Sequence, residues 1–331
     1  MTSQLRPLNL GEILDRTAEL YRSNFLLFAG IAAIFAGLML LTEMLHLGAL
    51  SLLGYPHINP KLQWAVACAA VLGMLVVLLL AGLSVAANTR AVAWIHLGEP
   101  ASIRAATASI LPRLRRYLAL MTIVGFRAWT PLAVLYVAMF AVIFALFPAG
   151  FLLNPAVIQN APPMNPATAL TAALAFLVLG PLFFAALVYG VFMSLRYSLA
   201  VPACVVEGLM SGEALKRSIE LSQGARGRIF VLALLVYAIR MLLGILLSLP
   251  FILFAFKHRG QPLPLGWLAL QQLAGFMVNT FIGPIYSTGL TLFYYDQRIR
   301  KEGFDIEWMM RAAGLHDLPE HASTLAAPEQ A

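Results

Sequence analysis

Residues 62–87 read LQWAVACAAVLGMLVVLLLAGLSVAA, twenty-six residues with no charged side chain. At about 1.5 Å per helical residue this is more than enough to cross the roughly 30 Å of hydrocarbon in a bilayer. Five further stretches have the same character, running from Asn24 to Leu45, Leu118 to Phe147, Thr168 to Leu195, Ile229 to Phe256 and Leu263 to Tyr295. The apolar runs are continuous rather than alternating, so a strand barrel is excluded and each segment must satisfy its own backbone as a helix. The whole chain carries 61% hydrophobic and only 11% charged residues, with a mean hydropathy of +0.83. Water cannot solvate most of such a surface. These features predict an all-α integral membrane protein of about six transmembrane helices. Pro131, Pro181, Pro250 and Pro284 fall inside the apolar stretches. They predict tilt or kinking, and in the last stretch either one helix or a broken one.

The distribution of basic residues predicts the orientation. Seventeen of the 22 Lys and Arg residues lie before the first span, between the second and third, between the fourth and fifth, or after the sixth. Only Lys61, Lys257 and Arg259 lie on the opposite side, and the stretch 149–167 has no basic residue. The positive-inside rule therefore puts both termini in the cytoplasm. The formal net charge of +7 is concentrated at span ends, where anionic lipid headgroups are the expected partners and a nucleic acid is not. Twenty-three residues, about half of them polar or charged, precede the first apolar run, which fits no cleavable signal. Cys68 and Cys204 have no metal-ligand spacing and imply neither a disulfide framework nor a zinc site. Trp64, Trp94, Trp267 and Tyr295 read as an interfacial aromatic belt.

Three segments on the basic side resemble one another: Gly11–Leu20 (GEILDRTAEL), Gly98–Arg104 (GEPASIR) and Gly212–Leu221 (GEALKRSIEL). In the first, Ile13, Leu14, Ala18 and Tyr21 form an apolar stripe opposite Glu12, Asp15, Arg16, Glu19 and Arg22. In the third, Ala214, Leu215 and Ile219 oppose Lys216, Arg217 and Glu220. Such stripes mark helices lying in the membrane interface. With two spans per unit the pattern predicts three parallel repeats, 11–97, 98–211 and 212–303, within one membrane domain of residues 1–310, followed by a flexible cytoplasmic tail, 311–331.

Charged side chains inside a bilayer are functional candidates by default. Arg127 and Arg240 each lie some three turns into a span, at matching places in their repeats, and Glu43 is the nearest acidic candidate. Each arginine can pair with Glu43, reach for backbone carbonyls, or hold a phosphate in a wet cavity. A second candidate region is the polar stretch with Asn279, Gly283, Pro284 and Ser287, read either as a helix break that lines a site or as small-residue packing that involves Gly275, Gly283 and Gly289. The six histidines are dispersed, and no phosphate loop or Gly-x-Ser-x-Gly elbow is present. No catalytic residue, cofactor or metal site is expected.

Three strings together carry a family resemblance: residues 7–16 (PLNLGEILDR), 214–221 (ALKRSIEL) and 294–305 (YYDQRIRKEGFD). In their order and their placing beside spans, the chain resembles the membrane domain of bacterial glycerophosphoryl diester phosphodiesterases, over nearly its whole length up to about Met310. The resemblance implies a multi-pass protein of the bacterial inner membrane. Relatives that hydrolyse diesters add a soluble barrel, which has no room here. His258-Arg259-Gly260 is similar to part of the barrel's catalytic string, yet it falls in a short loop before the last span, so no catalytic role carries over. The expectation is a non-catalytic membrane protein that contacts lipid or serves as an accessory or scaffold, or alternatively a carrier of a lipid or small anion that uses the intramembrane arginines.

Overall fold

Asn9 starts the first helix by accepting a hydrogen bond from the Glu12 amide at 2.8 Å, while the Glu12 carboxylate accepts one from the Asn9 amide at 2.7 Å. This capping box satisfies two otherwise orphaned amides and opens α1, Leu10–Ser23. The computed structural model describes residues 6–55, 59–146, 165–258 and 263–312, and no strand occurs among them. Beyond α1 the order is α2 Phe25–Leu52, α3 Pro60–His96, α4 Ile103–Ile110, α5 Leu114–Leu146, α6 Pro166–Arg196, α7 Ala200–Val206, α8 Ser211–Ser222, α9 Arg226–Lys257, α10 Leu265–Glu302 and α11 Phe304–Ala312. Six of these helices, α2, α3, α5, α6, α9 and α10, contain the stretches long and apolar enough to cross a membrane. The protein is an all-α multi-pass membrane protein. The tail reading falls on residues almost all of which lie outside those described.

Glu12 links the cap to pH. Its carboxyl is held below the ordinary 4.5, first by the Asn9 amide and then by Arg6, whose guanidinium lies 2.7 Å away. A carboxyl lowered in the folded state contributes stability above its unfolded pKa and loses it as pH falls through the folded value. E12Q is therefore expected to melt below the wild type near pH 7 and together with it once both carboxyl forms are protonated, near pH 2. Paired thermal melts at the two pH values check this.

The four prolines end no helix. Pro131, Pro181, Pro250 and Pro284 all sit inside helices, and the last apolar stretch is one continuous helix rather than a broken one. Proline removes a donor to the carbonyl four residues earlier, and hydroxyl groups gather around the defect in α10. Ser287 and Thr288 donate to the Pro284 carbonyl at 3.0 and 2.8 Å, and Tyr21 of α1 donates to the Phe281 carbonyl at 2.5 Å. Burial raises the Tyr21 hydroxyl pKa to about 12, so it stays a donor throughout the physiological range.

α2 packs between α3 and α10, α9 lies along α10, and α5 pairs with α6. The interior is concentrated in the half of the bundle that bears the basic residues. One cluster there joins Phe28, Ile31, Ala86, Ala91, Tyr117, Leu120 and Leu215; the other joins Ile13, Leu20, Leu199, Ile229, Leu232 and Phe293. In the opposite half Val71, Leu72, Phe176, Leu177, Met241 and Leu242 are exposed, as befits side chains solvated by lipid. Glycines bring spans close at three places, one of them Gly82 of α3, where a Cβ would stand 2.6 Å from Met121 of α5. A Cβ on Gly190 would stand 3.0 Å from the Trp129 ring, and one on Gly289 would stand 2.7 Å from Leu232. Gly275 and Gly283 approach nothing in this way. Small-residue packing in α10 is thus made at Gly289 alone of the three.

The interfacial helices depart from the repeat pattern in the middle copy. α1 and α8 begin with a Glu accepting from a backbone amide, Glu213 doing so from Met210 at 3.0 Å. In the middle copy Gly98, at φ +81°, and Pro100 interrupt the chain, so α4 starts only at Ile103, capped by Ser102. Tyr295 is not a belt residue: it is almost completely buried, because α10 continues past the apolar stretch into the packed end. Trp94 packs against a core cluster, and Trp267 stacks on Phe254 with ring centres 4.7 Å apart. The side chain of Trp64 is outside the described residues.

Candidate functional site

The three strings 7–16, 214–221 and 294–305, far apart in the chain, meet at the basic end. The first and last of them are joined by Asp296, whose side chain is fully buried. Its Oδ1 accepts from the Leu8 amide at 2.8 Å and from Arg300 Nε at 2.9 Å; its Oδ2 accepts from Gln297 at 3.0 Å, with Arg228 Nη1 at 3.4 Å. Arg300 also donates to the Leu8 carbonyl at 2.6 Å. One carboxylate thereby ties the N-terminal segment, the first turn of α9 and the end of α10 together. Burying it is tolerable because its lone pairs are satisfied by donors of opposite or partial positive charge.

A second set of contacts binds α8 to the same end. Glu207 takes both oxygens to Arg217 Nε, at 3.0 and 3.1 Å, and accepts from the Tyr294 hydroxyl at 2.6 Å. Arg217 reaches on to Glu302 at 2.5 Å, and Glu302 also accepts from Arg298 at 3.0 Å. Burial opposes the charge on Arg217, but the hydrogen bonds and charges of Glu207 and Glu302 outweigh it, so its pKa is raised. Lys301 donates to the carbonyls of Glu220 and Gln223, at 2.5 and 2.9 Å, capping the C-terminus of α8. Gly303, at φ +66°, then ends α10 and lets Phe304 fold back beneath Arg298, 4.2 Å from ring centre to guanidinium.

The intramembrane arginines do not pair with Glu43. Arg240 of α9 donates to Asn279 of α10 at 2.6 Å, which brings together two sequence candidates that had no assigned relation. Arg127 is exposed in an open groove between α5 and α6, lined by Thr130, Pro131, Tyr189 and Tyr197. Arg240 is not part of that groove. Glu43 is half-buried on α2 with no ion pair among the described residues. The reason is helix order: α2 packs on α3 and α10, while the arginines are carried by α5 and α9. Pro284 and Ser287 are buried in α10, Gly283 is half-buried, and Ser287 donates to the Pro284 carbonyl.

Two histidines have ring contacts that the sequence does not signal. His96 stacks on Tyr295 with ring centres 4.8 Å apart, and both its nitrogens and the Tyr295 hydroxyl are buried without a hydrogen-bond partner. His258 stacks on Phe254 at 4.2 Å next to the end of α9; Arg259 and Gly260 lie outside the described residues. Among the described residues no group of three His, Cys, Asp or Glu could hold a metal ion. Chemically, the assembly around Asp296 and Glu207 holds charges in place, since each carboxylate already accepts from several donors.

A family model described as "Domain of unknown function (DUF7847)" matches residues 101–297, more than half of the chain, from just before α4 to just past Asp296. No curated protein and no solved structure matches.

Proposed function

We propose that this protein, which belongs to the DUF7847 family, is a non-catalytic multi-pass protein of the bacterial inner membrane that contacts anionic lipid through its basic, cytoplasmic end. The observation that carries the reading is how the charges are divided. Asp296, Glu207 and Glu302 are consumed internally. Arg22, Arg104, Arg113, Arg115 and Lys216 remain exposed and form no ion pair among the described residues. Cations so placed at span ends attract acidic headgroups by about 1 kcal/mol each. The likeness to phosphodiesterase membrane domains fits, since the strings that carry it form this end. The experiment is reconstitution in nanodiscs of mixed phosphatidylcholine and phosphatidylglycerol, with the retained lipid quantified. Enrichment of phosphatidylglycerol is expected, reduced several-fold in the triple variant R104Q/R115Q/K216Q. Retained lipid of bulk composition would contradict the reading.

The groove at Arg127 favours a second reading, a carrier of a lipid or small anion. R127L would then abolish transbilayer movement of a fluorescent anionic lipid in vesicles, and no flux with the intact protein would rule it out.

A further inference from the structure

Of the two arginines at span depth, Arg240 is held by Asn279. Arg127 makes no hydrogen bond, ion pair or ring contact among the described residues. It is exposed in a groove of about 630 Å³, a volume within the range of small-molecule sites. The rest of the lining is almost wholly apolar or aromatic, with Phe126, Pro131, Val134, Leu135 and Tyr189 along it and Tyr197 at one end. Thr130, also in the lining, spends its hydroxyl on the Phe126 carbonyl.

The register of α5 and α6 shows how the groove runs. A Cβ on Gly190 would meet the Trp129 ring at 3.0 Å, and Phe183 meets Tyr136 with ring centres 6.4 Å apart. The two helices are therefore antiparallel, 190 level with 129 and 183 level with 136. On that scale Tyr197 lies about five residues, roughly 7 Å, nearer the basic end than Arg127. Val134 and Leu135 lie roughly 10 Å farther toward the opposite, lipid-solvated half. The groove thus leads from the end of α6, past Arg127, into the hydrocarbon. A long basic side chain at such a depth can extend back toward the headgroups while its stem stays in apolar surroundings.

Hydrocarbon does not solvate a guanidinium, and no protein group neutralises this one. Pro131 has no amide to give the Arg127 carbonyl, so an acceptor is left free on the same residue. A free cation, a free acceptor and an apolar track match the phosphodiester, the headgroup hydroxyls and the acyl chain of an acidic lipid.

We propose that the groove holds one anionic phospholipid, its phosphodiester on Arg127 and an acyl chain along Pro131, Val134 and Leu135. A planar guanidinium suits two phosphate oxygens at once. The site deepens the carrier reading, because a carrier would load its lipid here, but a resident lipid requires no transport. It is also separate from the exposed cations of the basic end, of which Arg127 is not one.

The test uses full-length protein, delipidated in neutral detergent and titrated with phosphatidylglycerol or phosphatidylcholine, with native mass spectrometry as the readout. Wild-type protein is expected to retain one phosphatidylglycerol about fivefold more tightly than phosphatidylcholine, and R127Q to lose that preference. The triple variant R104Q/R115Q/K216Q is expected to lose general enrichment while keeping the single tight lipid. A phosphatidylglycerol with a diazirine in its acyl chain is expected to crosslink to residues 126–135 and 189–197. Lipid flux measured on the same protein separates the two readings: a tight lipid lost in R127Q, without flux in the wild type, would support the site and rule out the carrier. A preference unchanged in R127Q, or crosslinks spread evenly over the exposed faces of α3 and α9, would overturn the proposal. Should R127Q fail to fold, the crosslinks of the wild type decide.

Discussion

Replacing Asp296 by alanine is expected to destabilise the folded protein by about 3–5 kcal/mol, the range for removing one partner from a buried ionic assembly. The carboxylate is fully buried and serves the Leu8 amide, Gln297, Arg228 and Arg300 together. Without it, two guanidiniums lose their counter-charge and keep only the Leu8 carbonyl, while the Leu8 amide loses its acceptor, and a buried donor left unmade costs far more than a made hydrogen bond contributes. D296N is the informative partner variant. It keeps an acceptor for Leu8 but not the charge that balances Arg228 and Arg300, so its loss is expected to fall between wild type and D296A. Equilibrium unfolding in detergent gives the ranking; D296A within 1 kcal/mol of wild type would show that the hub contributes little.

Replacing Glu207 by alanine should have the second largest effect, about 2–3 kcal/mol, in the range for hydrogen bonds to charged groups. Glu207 is mostly buried and serves both Arg217 and Tyr294. The loss is smaller than at Asp296, because Arg217 keeps Glu302 and water can reach part of the gap. A double-mutant cycle of E207A with R217A isolates the pair, with an expected coupling of about 1–2 kcal/mol. A coupling near zero would mean that Tyr294, not Arg217, is the partner that matters.

These two sites illustrate how far the sequence could be read. The spans were legible because burial in lipid needs an uninterrupted apolar run, and stretches such as 62–87 admit no other reading. The interfacial helices were legible at α1 and α8 from their stripes and Gly-Glu starts, and less so at α4, where Gly98 and Pro100 delay the helix. Asp296 and Glu207 were not legible as a hub and a relay. Their partners, Leu8 and Arg217 or Tyr294, are set by which helix ends meet, and periodicity within a helix does not reveal that. Arg240 is legible from its depth in an apolar run, but its partner Asn279 is not. Glu43 was the nearest opposite charge in the repeat pattern, whereas helix neighbours supply the neutral Asn279. The strings behind the family resemblance lie far apart in order along the chain, and in three dimensions they touch. Leu8 meets Asp296, Arg217 meets Glu302, and Lys301 caps α8.

That convergence is the central claim: segments 7–16, 214–221 and 294–305 form one packed assembly rather than three separate juxtamembrane helices. Hydrogen exchange at the Leu8 amide tests it most directly, since nothing local protects this residue just outside α1 and its acceptor is Asp296, 288 positions away. Slow exchange in the wild type that becomes fast in D296A is the predicted result. Fast exchange at Leu8 in the intact protein, as for a free N-terminal arm, would contradict the account.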